Sequence, residues 1–301
     1  MKAIKLASVF AVTAVAVAVS SATFAAEPVF KGTAGLEYQS FEEDSTSSDQ
    51  ATSRGEVNII GDTGVVYFDL DMEGSTAKTN SSGATVRNDT NGNTSFSLDE
   101  IYVKQGAVHF GDFDGTILDS VAYSAGVEQD EDVAKADFGD DLGIRYMVSD
   151  ELTVALEITE GTNVGTLAVA YSTEVSGLTL GVSAGYKMSD DNLDDQLLTV
   201  GIKAPLGMAT FSSFARVGSI ADADIMHYGV GLDLPVTEQL TLAAQYYTKD
   251  GESAVGTDEV DQGIAEVTAY YAVGDVKYYA SYVDFEADGS DTSVVGAKVS
   301  F

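Results

Sequence analysis

The sequence predicts an all-β fold: a sixteen-stranded antiparallel transmembrane β-barrel with short turns at one end and longer loops at the other. Three observations lead there. Apolar and polar residues alternate with a period of two through sixteen segments. The connections between those segments alternate between short and long. Within the segments, the basic residues all share the polar phase.

Composition bounds the functions open to such a chain. Its 301 residues carry 48 acidic and 15 basic side chains, a formal net charge of −33. Nucleic acid is excluded as a partner, because neutralising phosphates needs clustered Lys and Arg. With no cysteine, a disulfide scaffold, a zinc knuckle and a thiol nucleophile are excluded too. The two histidines, His109 and His227, are far apart and lack metal-ligand spacing, and no cofactor is implied. Thirty glycines against three prolines suit strands and tight turns.

The first element is a leader over residues 1–25. Lys2 and Lys5 form a short positive region, residues 6–19 are apolar and small, and Thr23 and Ala25 sit at −3 and −1 of a cleavage site. That apolar stretch is shorter than the ~20 residues a spanning helix needs. Residues 26–301 are then one barrel domain, exported from the cytoplasm.

The strands follow in order. Segment 30–41 alternates from Phe30 to Phe41; 54–61 is weaker; 65–74 places Asp69, Asp71 and Glu73 on one phase. Segment 96–105 slips phase near Glu100, and 107–111 is short. Segments 142–148, 152–159 and 164–172 alternate again. In 178–186, Leu178, Leu180, Val182, Ala184 and Tyr186 share one face while Thr179, Gly181, Ser183 and Gly185 share the other. The pattern continues through 196–204, 208–218, 225–234, 240–249, 264–273, 276–285 and 293–301.

Every second link is a few residues of Gly, Pro, Asp and Ser, such as 62–64, 149–151, 205–207 and 274–275. The others, including 42–53, 75–95, 112–141 and 250–263, are longer and mostly acidic; 160–163 is a short exception. An even strand count returns both chain ends to the short-turn, periplasmic side.

A soluble sandwich also alternates, but bulky Leu, Ile and Phe would dominate its core. Here the apolar phase is modest in size and ends repeatedly in tyrosine: Tyr38, Tyr102, Tyr146, Tyr171, Tyr186, Tyr228, Tyr246, Tyr271 and Tyr282. Tyrosines at strand ends suit the headgroup girdles of a membrane barrel. Charge is sorted accordingly. Lys31, Arg54, Lys104, Arg145, Lys187, Lys203, Arg216, Lys249, Lys277 and Lys298 all take the inward phase. So do Glu37, Glu56, Asp69, Asp71, Glu73, Glu157, Asp233 and Glu266. A lipid-facing Lys or Arg at mid-membrane costs roughly 2–4 kcal/mol, which enforces this sorting.

The chain closes on Val295, Ala297, Val299 and the terminal Phe301 at alternate positions. Here it resembles the general, non-specific porins of the Gram-negative outer membrane, whose last strand ends on Phe. Residues 99–103 (Asp-Glu-Ile-Tyr-Val) with 108–111 (Val-His-Phe-Gly), and 30–38 with its inward Lys31, are similar to porin strands as well. The resemblance implies a multi-pass barrel in the bacterial outer membrane and recognition of Phe301 by the barrel-assembly machinery. It also implies contact with outer-membrane lipid and lipopolysaccharide, and a homotrimer.

It further implies a third loop folded inward to narrow the channel. By resemblance that loop is 112–141, with Asp112, Asp114, Asp119, Glu128, Asp130, Glu131 and Asp132 as constriction acids. Facing them, the resemblance implies a basic wall of Lys31, Arg54, Arg145 and Lys298; Glu37, Asp69 and Asp71 are the acidic wall residues. Asp112 stands where the family often has Arg, so the positive ladder is thinner.

The function expected is passive diffusion of small hydrophilic solutes and ions, with cations preferred. Two alternatives stay open. A substrate-selective channel, for example for a sugar, would need an aromatic track along the lumen, for which Tyr67, Tyr247, Tyr270 and Tyr279 are candidates. A barrel enzyme would need a Ser/His or Asp/His constellation at one rim, and neither histidine sits near a nucleophile motif. The acidic run 190–195 offers oxygen ligands for calcium but lacks the Gly and terminal Glu of an EF-hand loop.

Overall fold

The computed structural model describes residues 29–43, 46–75, 77–79, 85–87, 93–129, 142–158, 164–188, 195–220, 223–251, 262–285 and 290–301. The leader 1–25 lies outside them.

Sixteen strands close into one antiparallel barrel. They are β1 Val29–Glu43, β2 Thr46–Asp62, β3 Val66–Ser75, β4 Asn93–Gln105, β5 Val108–Asp112, β6 Leu142–Met147, β7 Leu152–Ile158 and β8 Gly165–Val175. The second half is β9 Leu178–Met188, β10 Asp195–Leu206, β11 Ala209–Ile220, β12 Ala223–Pro235, β13 Leu240–Gly251, β14 Gln262–Val273, β15 Val276–Phe285 and β16 Ser290–Ser300. Each strand pairs with the next, and β1 pairs with β16. Reciprocal backbone bonds of 2.9 Å between Gly32 and Phe301 finish that seam. Closure leaves no ladder edge to be satisfied by water.

The short turns fall where the sequence puts them. Ser176 (φ 56°) and Gly177 (φ 80°) take consecutive left-handed conformations between β8 and β9. That is the backbone of a two-residue hairpin turn whose twist matches the flanking strands. The phase slip near Glu100 is a β-bulge: Asp69 pairs with Glu100 but Leu70 pairs with Leu98, leaving Asp99 as the extra residue.

Two expectations are corrected. The link 42–53 is mostly strand, because β1 and β2 keep pairing out to Glu43 and Thr46. Its Ser, Thr, Asp and Gln residues carry no apolar alternation, yet the backbone ladder continues past the apolar belt. The link 75–95 likewise contains a small separate hairpin, Ala77–Thr79 with Thr85–Arg87.

Register assigns every side chain to one of two faces. All ten predicted basic positions lie on one face, Arg54 opposite Gly35 and Lys249 opposite His227 by backbone register. The other face carries the exposed apolar belt, with Leu36 67%, Leu167 54% and Val200 48% exposed. Tyr146, Tyr271 and Tyr278 sit on that face near the short turns; Tyr38, Tyr186, Tyr228 and Tyr282 sit on it towards the opposite rim. Tyr102 is the exception: beyond the bulge it shares the polar face with Tyr67, its register partner.

Val200, mid-strand on the apolar face opposite Val182 and Ala215, gives a direct stability test. Val200→Lys is expected to lower stability in lipid vesicles by about 2–4 kcal/mol, measured by urea unfolding. Asn58→Lys on the other face is expected to stay within about 0.5 kcal/mol.

Candidate functional site

The chain leaves the wall after β5 and crosses to the far side as residues 113–129. It runs through a short 3-10 turn, Ile117–Val121, where the Thr116 side chain accepts from the Leu118 N–H. Irregular backbone has no ladder to satisfy its N–H and C=O groups, and the polar face of the wall supplies partners. Ile117 N–H donates to Glu157 (2.8 Å), Ala125 N–H to Gln245 (2.9 Å) and Gly126 N–H to Asp233 (2.9 Å). Glu128 and Gln129 both donate to Glu266 (2.9 and 3.0 Å). In return Ser183 donates to the Leu118 carbonyl (2.6 Å) and Arg145 to the Gly115 carbonyl.

The path of this segment identifies the polar face as the interior. From Ile117 at β7 to Glu128 at β14 the chain advances eleven residues, the first four steps through the 3-10 turn. At ~2 Å per 3-10 residue and ~3.4 Å per extended one, it spans at most about 32 Å. The seven strand-to-strand steps between those anchors make roughly 34 Å of wall before tilt widens them. The outer surface is longer still, so only a path along the concave side is short enough.

Apolar contacts hold the segment where polar bonds do not. Ile117 and Leu118 pack with Ala155, Ala168, Ala170 and Leu197, and Ala125 and Val127 pack with Ala243. These small wall residues take the inward phase directly beneath the segment.

Two ion pairs tie its ends. Asp119 bonds Arg216, a fully buried guanidinium that also donates to Thr199 (2.9 Å). Glu128 takes bonds from Lys298 through both carboxylate oxygens, 2.7 Å each. Of Lys31, Arg54, Arg145 and Lys298, the last is the one whose bonds to a segment acid lie among the described residues. Arg145 instead meets a backbone carbonyl and the Phe113 ring, 4.0 Å from its centroid. Lys31 lies opposite Asn58, whose amide reaches Asp71 (3.5 Å). The side chain of Arg54 lies outside the described residues.

The predicted acids divide similarly. Asp119 and Glu128 lie in the segment, each bonded to a wall cation, and Asp114 is exposed at its start. Asp112 is corrected: it ends β5 within the wall, in register with Ile101 and Leu142, because ladder pairing continues one residue further. Asp130, Glu131 and Asp132 lie outside the described residues. Glu37 accepts from Tyr279 (3.0 Å) and Gln39 (3.2 Å); Asp69 faces inward opposite Glu100.

Sequence reasoning missed Arg216, Glu157 and Glu266 as partners of the segment. Their inward phase was readable, but nothing local marks which inward residues the segment will touch.

The four candidate inward aromatics do point inward, but not as one track. Tyr67 stacks on Tyr102 (4.9 Å between centroids), which stacks in turn on His109 (5.3 Å) and Phe113 (4.8 Å). Lys104 lies over both tyrosines and pairs with Asp62 at 2.7 Å. Tyr247 is buried against Phe214, with His227 edge-on to it. Tyr270 and Tyr279 are opposed on β14 and β15. Ring faces are thus largely occupied by one another and by cations.

The chain matches no known protein-family model and no curated protein sequence. Solved structures share its architecture at low identity. It is similar to the outer-membrane channel DcaP of Acinetobacter baumannii, with 13% identity and a TM-score of 0.66 over 92% of this chain and 98% of that one. OmpT, an outer membrane protein of Vibrio cholerae, solved in its trimer form, gives 12% and 0.62 over 92% and 100%. OmpF of Salmonella typhi, solved with daunomycin, gives 14% and 0.61 over 91% and 97%. The fold is therefore that of Gram-negative outer-membrane porins.

The buried pair offers a test of how the segment is held. Arg216→Ala, leaving Asp119 without its cation, is expected to cost about 3–5 kcal/mol in urea unfolding from vesicles. Adding Asp119→Ala is expected to recover part of it, with a coupling energy of about 1–3 kcal/mol.

Proposed function

We propose that this chain is a diffusion channel of the bacterial outer membrane, passing small hydrophilic solutes and ions, with cations favoured. The observation that carries the reading is the closed barrel itself. Its outer face is an apolar belt, its inner face is charged, and a chain segment is laid across the interior without regular structure of its own. A sixteen-stranded barrel is wide enough to hold water rather than a packed core. In this reading residues 1–25 direct export and are removed. Phe301 at the β1–β16 seam is the handle for the assembly machinery, and the barrel associates as a trimer, as the OmpT trimer suggests.

The cation preference rests on how the inner carboxylates are bonded. The segment acids Asp119 and Glu128 are matched by Arg216 and Lys298. The hydrogen bonds described for Glu37, Glu157, Asp233 and Glu266 come from hydroxyl, amide and backbone N–H groups. Together with the chain's net charge of −33, such inward carboxylates on the wall add to the acids of the segment as sources of a negative field. An ion ~6 Å from one such carboxylate in water changes energy by about 0.7 kcal/mol. Cation and anion then differ by about 1.4 kcal/mol, roughly tenfold, before screening over ~8 Å reduces it.

Catalysis is not part of this reading, since His109 and His227 are both engaged in ring packing on the inner wall. A channel selective for one solute is also set aside, because the inward rings stack on each other rather than lining a continuous path.

Purified protein in planar bilayers under a KCl gradient is expected to show discrete steps and a reversal potential of cation-favouring sign. Asp71→Asn is expected to lower the cation-to-anion permeability ratio by up to about tenfold. An anion-favouring sign in the unmodified protein contradicts the selectivity; absence of any step contradicts the channel.

A further inference from the structure

Three inner-wall glycines lie beneath the crossing segment: Gly181 on β9, Gly201 on β10 and Gly231 on β12. Each faces the interior by register, and each sits so close to the segment that a Cβ has no room. At Gly201 a Cβ would run into the backbone carbonyl of Val121 and come within 2.8 Å of the Tyr123 ring. At Gly181 it would meet the Val121 side chain at 2.7 Å and the Tyr123 hydroxyl at 2.8 Å. At Gly231 it would meet the Ala125 backbone nitrogen and Cβ, both at 2.7 Å. Real Cβ atoms do not tolerate such distances, so a side chain at any of these positions displaces the segment or the wall.

The wall is the stiffer of the two. Gly181 and Gly201 are direct register partners in a ladder bonded on both sides, whereas the segment between Val121 and Ala125 has no regular backbone pairing. Its ends are nonetheless fixed: Ile117 by Glu157 and Asp119 by Arg216 on one side, Ala125 by Gln245 and Glu128 by Lys298 on the other. Between them the Tyr123 hydroxyl bonds Ser172 on β8 (2.8 Å); a strap pushed from beneath gives up that bond and bows away from the wall, which on the concave side means towards the pore axis.

We propose that Gly181, Gly201 and Gly231 set the aperture of the channel: they form a trough that lets Val121–Ala125 lie flush with the wall, and the depth of that trough fixes the width of the open passage. The inference rests on the channel reading and adds the residues that determine its size limit. No glycine is needed for the strands themselves at these positions, since the strand interiors around them accept Thr, Ser and Val. What requires glycine at Gly181 and Gly201 is the segment laid across them; at Gly231 the Ser212 hydroxyl of the wall, also 2.7 Å away, adds to it.

The test compares single-channel conductance and liposome swelling for wild type, Gly201→Ala, Gly231→Ala and Gly181→Ala, with heat-modifiable gel mobility confirming that each barrel has folded. Each alanine variant is expected to give a smaller conductance step and to lose permeation by the largest sugar that the wild type admits. Two suppressors separate this effect from general damage. Val121→Gly and Tyr123→Phe together are expected to restore the step of Gly181→Ala, whose methyl meets side-chain atoms. They are expected to leave Gly201→Ala low, because its methyl meets a backbone carbonyl that no side-chain trimming removes. A conducting wild type with unchanged or larger steps in the folded variants overturns the trough while sparing the channel. Equal rescue of both variants overturns it as well. A folded wild type with no steps overturns the channel and the trough together.

Discussion

Backbone polarity in a hydrocarbon layer governs the whole architecture. Where no water is available, every N–H and C=O of a spanning strand needs a partner, and a sheet meets that demand only by closing on itself. The β1–β16 ladder and the Gly32–Phe301 bonds at its end complete the circle. Once the ladder is closed, side chains have two destinations only, and their chemistry follows from which one they face. The outer row is Leu, Val and Tyr because it meets lipid and headgroups; the inner row accepts the charge that lipid would reject.

The inner wall has a second task. The crossing segment has no ladder of its own, and side chains of the wall take the place of water on its N–H groups. Wall carboxylates and amides serve: Glu157, Gln245, Asp233 and Glu266 take backbone protons in sequence along the segment. Three of these four acceptors are carboxylates, so the residues that position the segment also place acidic side chains on the inner face. Removing any one of them leaves part of the segment's backbone without its acceptor.

What could be read beforehand follows from the same physics. Strand number, turn positions and the inward phase of all ten basic positions were legible because a period-two pattern is local and lipid enforces it residue by residue. The bulge at Asp99 was legible as a slip of phase. The continuation of β2 back to Thr46 was not, because beyond the apolar belt the pairing is backbone only and leaves no alternation. Tyr102 was misassigned because the apolar phase of Phe96 and Leu98 was carried past the bulge to it, although Lys104, two residues on, already marked that phase as polar. The contacts of the crossing segment were the least legible. Arg216 and Asp119 are 97 residues apart in sequence, and only the closed barrel brings them together.

The central claim is that one face of each strand meets lipid while the other lines an enclosed aqueous passage. The absence of cysteine makes a direct measurement possible, since any single introduced thiol is the only one. Single cysteines at positions 182 and 200 on one face, and at 31 and 203 on the other, labelled with a thiol-reactive fluorophore before folding, can be probed in vesicles for quenching by brominated lipid tails. Their reactivity towards a charged, water-soluble thiol reagent is read in parallel unlabelled samples. The account predicts quenching with little reaction at 182 and 200, and fast reaction with altered conductance at 31 and 203. Reversed assignments, or four positions that behave alike, would contradict it.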